Sequence, residues 1–283
     1  MNKRKKIYSA LGLIMLCGII FARSQIVSFH DKEFERAVRD YMMSSRVSMT
    51  AKRQKPIRGP VFRKDINAVT VIFIDLNEYK INDVRDTKKF KNLQELMLGY
   101  IPEDFQAEVI PNGDMPKNLD SIYKLNKIER INLFRMNIDN SFKTVQKSAK
   151  ELFIDDCIVI DDNFIRNFPE VNLLVVRDSD ISSFEFLETT QRLSSLCLYD
   201  NTYSCSLDQL KIAHNIEELR LMSDETDVFD QLPHIPTMKK LYLQGEGAPK
   251  RSEAERYLDW ENLEGLYLED EKYDVATNTW SNY

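Results

Sequence analysis

The sequence predicts an α/β solenoid. Short parallel strands would stack into a sheet on a concave face, and short helices, 3-10 turns and loops would return the chain along a convex face. Three observations predict it. An apolar pattern recurs at intervals of about 22 residues through most of the 283-residue chain. Each copy centres on a period-two apolar-x-apolar element, which is the spacing of a half-buried strand. A segment with helical apolar spacing stands just upstream of the first copy, where a solenoid needs a cap.

The chain opens on a targeting segment. Met1–Lys6 contains Lys3, Arg4, Lys5 and Lys6, and Ile7–Ala22 is an uncharged, mostly apolar run of 16 residues. Ala22-Arg23-Ser24 resembles a small-residue cleavage site. The run is short for a spanning helix, which wants roughly 20 residues, yet long for the core of a signal peptide. Residues 1–24 therefore form a hydrophobic leader helix that is either a cleaved signal or an uncleaved anchor. In both cases positive charge stays on the cytoplasmic side and Gln25 onward lies outside. The expected membrane contact is residues 7–22, and the expected location is extracytoplasmic, anchored or secreted.

Residues 25–65 read as a helical cap carrying a basic loop. Phe34, Ala37, Val38 and Tyr41 fall on one helical face, suited to covering the first repeat. Arg46–Lys64 carries seven basic residues and no acid, with Pro56, Gly59 and Pro60. Such a stretch suits anionic lipid headgroups or wall polymers; a flexible insertion in the cap is the plainer reading. Residues 65–283 carry a net charge of -17. That acidic body disfavours nucleic acid as the main partner.

The repeats occupy residues 66–283. They are Ile66-Val69-Ile72-Ile74, Phe90-Leu93-Leu96-Leu98, Leu125-Ile128-Ile131-Leu133, Ala149-Leu152-Ile154, Phe168-Val171-Leu174-Val176, Leu193-Leu196-Leu198, Ile216-Leu219-Leu221, Ile235-Met238-Leu241-Leu243 and Trp260-Leu263-Leu266-Leu268. This is the pattern of a leucine-rich repeat. With the first residue of each apolar-x-apolar pair as a ruler, the steps are 24, 35, 21, 22, 22, 23, 22 and 25. The long step contains Pro102, Pro111, Gly113 and Pro116, which predicts a loop inserted over residues 101–120. One strand cannot bury its face alone, so the copies must stack. Phe184–Leu187 and Ser206–Leu210 are candidates for the short helices or 3-10 turns of the convex side.

The first unit with the following Lys80–Val84, and the segment Phe29–Tyr41 before it, resemble the opening repeat and helical cap of bacterial internalin-like proteins, a surface or exported leucine-rich-repeat family. The resemblance covers about residue 26 to the end. It implies a solenoid that binds another macromolecule. The family's Asn ladder, five residues after the ruler, reads here Asn77, Ile101, Met136, Cys157, Ser179, Asn201, Asp224, Glu246 and Glu271. Buried carboxylates are costly, so the C-terminal coils are expected to be more open there, with a short cap after the ninth repeat.

No catalytic signature is present. His30, His214 and His234 match no metal or nucleophile spacing, and no phosphate-cradling glycine cluster occurs. Beyond the leader, Cys157, Cys197 and Cys205 are an odd set with no metal-like spacing and read as small hydrophobes. Neither an enzyme nor a cofactor or metal site is expected, and no room for a catalytic domain is seen after Trp260. What remains is the concave face. Its outward positions bring Phe134, Phe153, Tyr199, Arg220, Tyr242 and Tyr267 onto one surface, and aromatic residues and Arg are enriched at interface centres. These six are the candidate contacts for a protein ligand. A file of Asp156, Asp178 and Asp200 beside them suits a basic segment or a loose cation, though a solvated edge is the simpler reading. The alternative role is structural: an envelope component that builds an assembly by self-association.

Overall fold

A computed structural model describes residues 25–49, 59–100, 113–138, 144–159 and 162–282. The leader, most of the basic loop and the first part of the expected insertion lie outside these residues. No helix among the described residues is long and apolar enough to cross a membrane.

Among the described residues the concave sheet has 11 strands. It begins with parallel strands Val71–Asp75, Glu95–Gly99, Arg130–Phe134, Glu151–Asp155, Leu173–Arg177, Ser195–Tyr199, Glu218–Met222, Lys240–Gln244 and Gly265–Tyr267. Their register matches the ruler without a slip: Ile72, Leu96, Ile131, Leu152, Leu174, Leu196, Leu219, Leu241 and Leu266 are successive partners. All nine are buried, as are Ile74, Leu98, Leu133, Ile154, Val176, Leu198, Leu221 and Leu243 two residues on. A one-residue slip would turn this apolar set into solvent, so burial itself holds the register. The 35-residue step does not disturb it. Gly113–Asp114 pairs with Met136–Asn137, and Leu119–Lys124 forms a 3-10 turn that buries Leu119, Ser121 and Ile122. Residues 113–120 thus belong to the coil and not to the expected loop.

Six residues before the ruler runs a second buried file. Ile66, Phe90, Leu125, Phe168, Ile235 and Trp260 fill it with apolar bulk, whereas the fourth, sixth and seventh coils place Gln146, Thr190 and Ala213 there. Gln146 is fully enclosed and satisfied. Its Nε2 donates to the carbonyls of Ile122 and Leu125 at 3.0 Å each, and its Oε1 accepts from the Ser148 and Ala149 amides. Thr190 donates to the Phe186 carbonyl at 3.1 Å. The convex returns are mostly 3-10 turns, including Glu185–Glu188 and Leu207–Ile212, with short α-helices at Thr226–Asp230 and Arg251–Ala254.

After each concave strand the chain must turn sharply. Arg135, Asp156, Asp178 and Asp200 make that turn at φ of 51°, 50°, 48° and 51°, and Gly245 makes it at 97°. Asp tolerates the left-handed region better than most side chains, which gives the acidic file a conformational origin. The turn feeds a second parallel sheet of five short strands that ends at Thr202–Tyr203. Beneath it lies the ladder. The Cys157 amide donates to Ser179 Oγ at 2.9 Å, the Ser179 amide to Asn201 Oδ1 at 3.0 Å, and Asn201 Nδ2 to the Val176 carbonyl at 2.8 Å. Past Asn201 the ladder leaves the interior, and Asp224 Oδ1 accepts the Glu246 amide at 3.1 Å on the surface. Asp224 and Glu246 are exposed, so those acids are not buried.

Both ends are capped. The helix Lys32–Met49 starts where Asp31 Oδ1 accepts the Glu33 and Phe34 amides at 2.8 and 3.0 Å. Phe34, Ala37 and Val38 are buried as expected, and Phe34 meets Phe90 edge-on at 6.3 Å. Tyr41 is only half-buried against the core. Ile26–Val27 pairs antiparallel with Val61–Phe62 beside it. At the other end the last coil runs into an antiparallel hairpin, Glu271–Asp274 with Thr279–Asn282, instead of another turn. The cap is therefore a pair of strands, which the apolar pattern does not announce.

Candidate partner-binding face

Outward side chains on a strand alternate with the buried ones. Each coil therefore contributes residues one before, one after and three after its ruler position. The first of these columns includes Glu95, Arg130, Glu151 and Glu218; the second includes Phe73, Phe153, Arg220, Tyr242 and Tyr267; the third includes Phe134, Asp155, Arg177 and Tyr199.

The six expected contacts all lie on this face, but the structure sorts them into two groups. At the C-terminal end, Arg220, Tyr242, Tyr267 and Lys272 are register partners on successive strands. They form one stack. The Arg220 guanidinium lies 4.3 Å from the Tyr242 ring centre, the two tyrosine rings are 4.1 Å apart at 11°, and the Lys272 ammonium lies 5.4 Å from the Tyr267 ring. Strand spacing of about 4.8 Å is what lets the rings meet face to face. A cation at each end of an aromatic pair is favourable by roughly 0.5–2 kcal/mol per contact. Tyr242, in the middle, is 8% exposed, while Arg220 and Tyr267 are half-buried. Glu218 holds Arg220 in place at 2.8 Å.

Tyr199 adjoins this stack. Burial and the neighbouring Cys197 push its phenol up to about 12. Burial, followed by the charge of Glu218 and contact with Tyr267, pushes Tyr242 to about 12 as well. Both hydroxyls are neutral donors at physiological pH. Cys197 occupies an outward column yet is buried, and burial raises its thiol pKa. It acts as a small apolar filler under Tyr199 and Arg220. Cys157, Cys197 and Cys205 are all free thiols.

The N-terminal group contains Phe134 and Phe153. Phe134 stacks on Phe73 at 5.8 Å and 13°, across the intervening strand. Gly99 makes that reach possible: a Cβ there would lie 2.0 Å from the Phe134 carbonyl oxygen and 2.5 Å from its ring. Arg130 lies 5.3 Å from the Phe153 ring and is paired with Glu151 at 2.6 Å and Glu95 at 3.7 Å. Phe73, Phe134, Phe153, Arg130 and Glu95, with Met97, line a hollow of about 330 Å³ that Asp155 borders. Between the two groups stand Val175 and the Arg177–Asp155 ion pair, with Arg177 Nε 3.0 Å from Asp155 Oδ1.

Phe73, in the same outward column as Phe153, and Arg130 and Lys272 are not among the six expected contacts. Arg130 is visible once the column before the ruler is tabulated beside the column after it. Lys272 is reached only through the hairpin. The file of Asp156, Asp178 and Asp200 serves the turn, and Asp156 is paired with Arg135 at 2.7 Å. His30, His214 and His234 stand apart from the face, His234 edge-on to Trp260 at 5.3 Å. Among the described residues no group of three metal-ligating side chains stands together.

No family model and no curated protein matches the chain. Solved structures do. Internalin C2 of Listeria monocytogenes is 13% identical over 85% of this chain and 94% of that one, with a TM-score of 0.40. A leucine-rich-repeat protein of Leptospira interrogans is 14% identical over 73% of this chain and 51% of that one, with a TM-score of 0.44. A Listeria monocytogenes internalin-like protein is 12% identical over 78% and 71%, with a TM-score of 0.39. These likenesses are weak in sequence and in shape, and what the face can do follows from its own residues.

Proposed function

We propose that this leucine-rich-repeat chain is an exported binding module, held at the membrane by its leader or released, that engages a partner protein through its concave sheet. The observation that carries the reading is the Arg220–Tyr242–Tyr267–Lys272 stack. Cations and tyrosines ordered in advance by their neighbours lose little freedom when a partner covers them. Tyr and Arg are also among the residue types that dominate interface energetics. The Phe73–Phe134 pair and the hollow beside Phe153 supply a second contact point on the same face.

The test is site-specific photo-crosslinking in the native cell. A photoreactive residue replaces Tyr199 or Tyr267 in one strain and the exposed convex residue Lys211 in another. The concave positions are expected to give a discrete crosslinked species that Lys211 does not. The same species, or none, from all three would sink the reading.

A second reading, self-association, has its own support. Thr279–Asn282 ends the concave sheet, is largely exposed, and pairs on one side only among the described residues. Open strand edges recruit further strands. A sedimentation mass that rises with concentration favours it; a constant mass removes it.

A further inference from the structure

A second surface shares no residue with the concave face. It is a hollow of about 500 Å³ beside the first strand and the N-terminal 3-10 turns. Arg63, Lys88, Lys89, Lys91 and Lys124 line it, and no carboxylate does. Lys89 is committed to the fold, since it pairs with Asp86 at 2.7 Å and lies 5.4 Å from the Phe29 ring. Among the described residues the other four cations stand in no salt bridge, and Lys124 lies 5.3 Å from the Tyr123 ring. That is unusual for this molecule, whose residues 65–283 carry a net charge of -17. Cations collected without counter-charge repel one another, and an anion in the hollow relieves that repulsion.

Two further observations say which anion. Ile26 on the rim and Tyr123 next to Lys124 are among the few large apolar side chains left exposed, at 43% and 39%. An aliphatic group, a tyrosine and lysines together match the boundary between lipid headgroups and acyl chains, where amphipathic rings and long basic side chains settle. The apolar run Ile7–Ala22 also ends four residues before Ile26. Four extended residues span at most about 14 Å, so a bilayer that holds the run is within reach of the hollow.

We propose that this hollow docks on anionic phospholipid headgroups of the membrane in which the leader sits. The inference rests on the tethered form of the proposed function, and it orients the solenoid by seating its N-terminal end on the bilayer. Lys88, Lys91 and Lys124 hold the phosphates, while Ile26 and Tyr123 enter the headgroup layer.

The test uses the full chain and vesicles of phosphatidylcholine, with or without about 30% phosphatidylglycerol, in a flotation assay. Neutral vesicles read the leader alone. Lys3–Lys6 and Arg46–Lys64 also add to the excess on anionic vesicles, so the hollow is read as the part of that excess that substitution of its own lysines removes. Each lysine near an anionic surface contributes roughly a fivefold gain in partition. Combined Lys88→Gln, Lys91→Gln and Lys124→Gln is therefore expected to remove about a hundredfold of the anionic excess and leave neutral binding unchanged. Equal excess for wild type and variant overturns the proposal. Soluble polyphosphate that binds wild type while vesicles draw no excess overturns it in favour of a dissolved polyanion. An anionic excess that the variant loses, without neutral binding, upholds the hollow and removes the tether. Tyr123→Trp gives a readout that is indifferent to any loss of fold in the charge variant. The difference in emission between Tyr123→Trp and wild type, which removes the Trp260 and Trp280 signal, is expected to shift to the blue on anionic vesicles, and an unchanged difference spectrum counts against the proposal.

Discussion

Asp200 sits where the chain turns left-handed after a concave strand, and its carboxyl pKa is raised, first by burial and then by Asp224. Burial likewise raises Asp178, against the pull of Arg177 and with the push of Asp200. A carboxyl whose folded pKa exceeds its unfolded value holds its proton better in the fold. Its contribution to stability is therefore present at low pH and is lost as pH rises through the folded pKa. Asn tolerates the same backbone region without the charge. Asp200→Asn is expected to stabilise the chain at pH 7 by on the order of 0.3 kcal/mol, since the site is exposed. The gain should shrink toward pH 4. Urea midpoints at the two pH values check this, and a loss at pH 7 would contradict it. The file of acids was legible in the sequence as a file. Its reason was not, because a positive φ leaves no mark in hydrophobic periodicity.

The coil is the element of this fold, and its apolar register was legible throughout. Nine ruler residues named from spacing became nine consecutive ladder partners. Legibility failed where a polar side chain does an apolar residue's job. The fourth unit lacks its first apolar residue because Gln146 fills that slot and bridges two coils through its amide. Gln146→Leu keeps the volume but takes the acceptor from the Ser148 and Ala149 amides, while the Ile122 and Leu125 carbonyls each lose one of two donors. It is expected to cost about 3 kcal/mol, read as a lower urea midpoint at unchanged slope; a neutral result would show that the apolar filling suffices. The same blindness hid the terminal hairpin, whose Tyr273–Trp280 contact at 5.2 Å seals the last coil without repeating the pattern. The candidate face was half legible. Its outward columns follow from alternation, but their division into two clusters depends on Gly99 and on strand-to-strand ring contacts that no single repeat records.

Across the whole molecule, each coil touches mainly its neighbours, so stability propagates from one interface to the next. Phe34 is buried at the first of these interfaces, against Phe29 and Phe90. Phe34→Ala is expected to cost about 3–5 kcal/mol and to loosen the near coils first. Hydrogen exchange should quicken in Val71–Asp75 and Glu95–Gly99 before it does in Lys240–Gln244; uniform quickening would show a single cooperative block instead. The unbroken register has one more consequence. Removing a whole coil between the Phe153 cluster and the Tyr242 stack would translate one against the other by a single tooth of about 4.8 Å, leaving each intact. The distance between two grips is thus set by counting, as on a rack, and a lineage or a designer can refit the protein to a wider or narrower target without redrawing either grip.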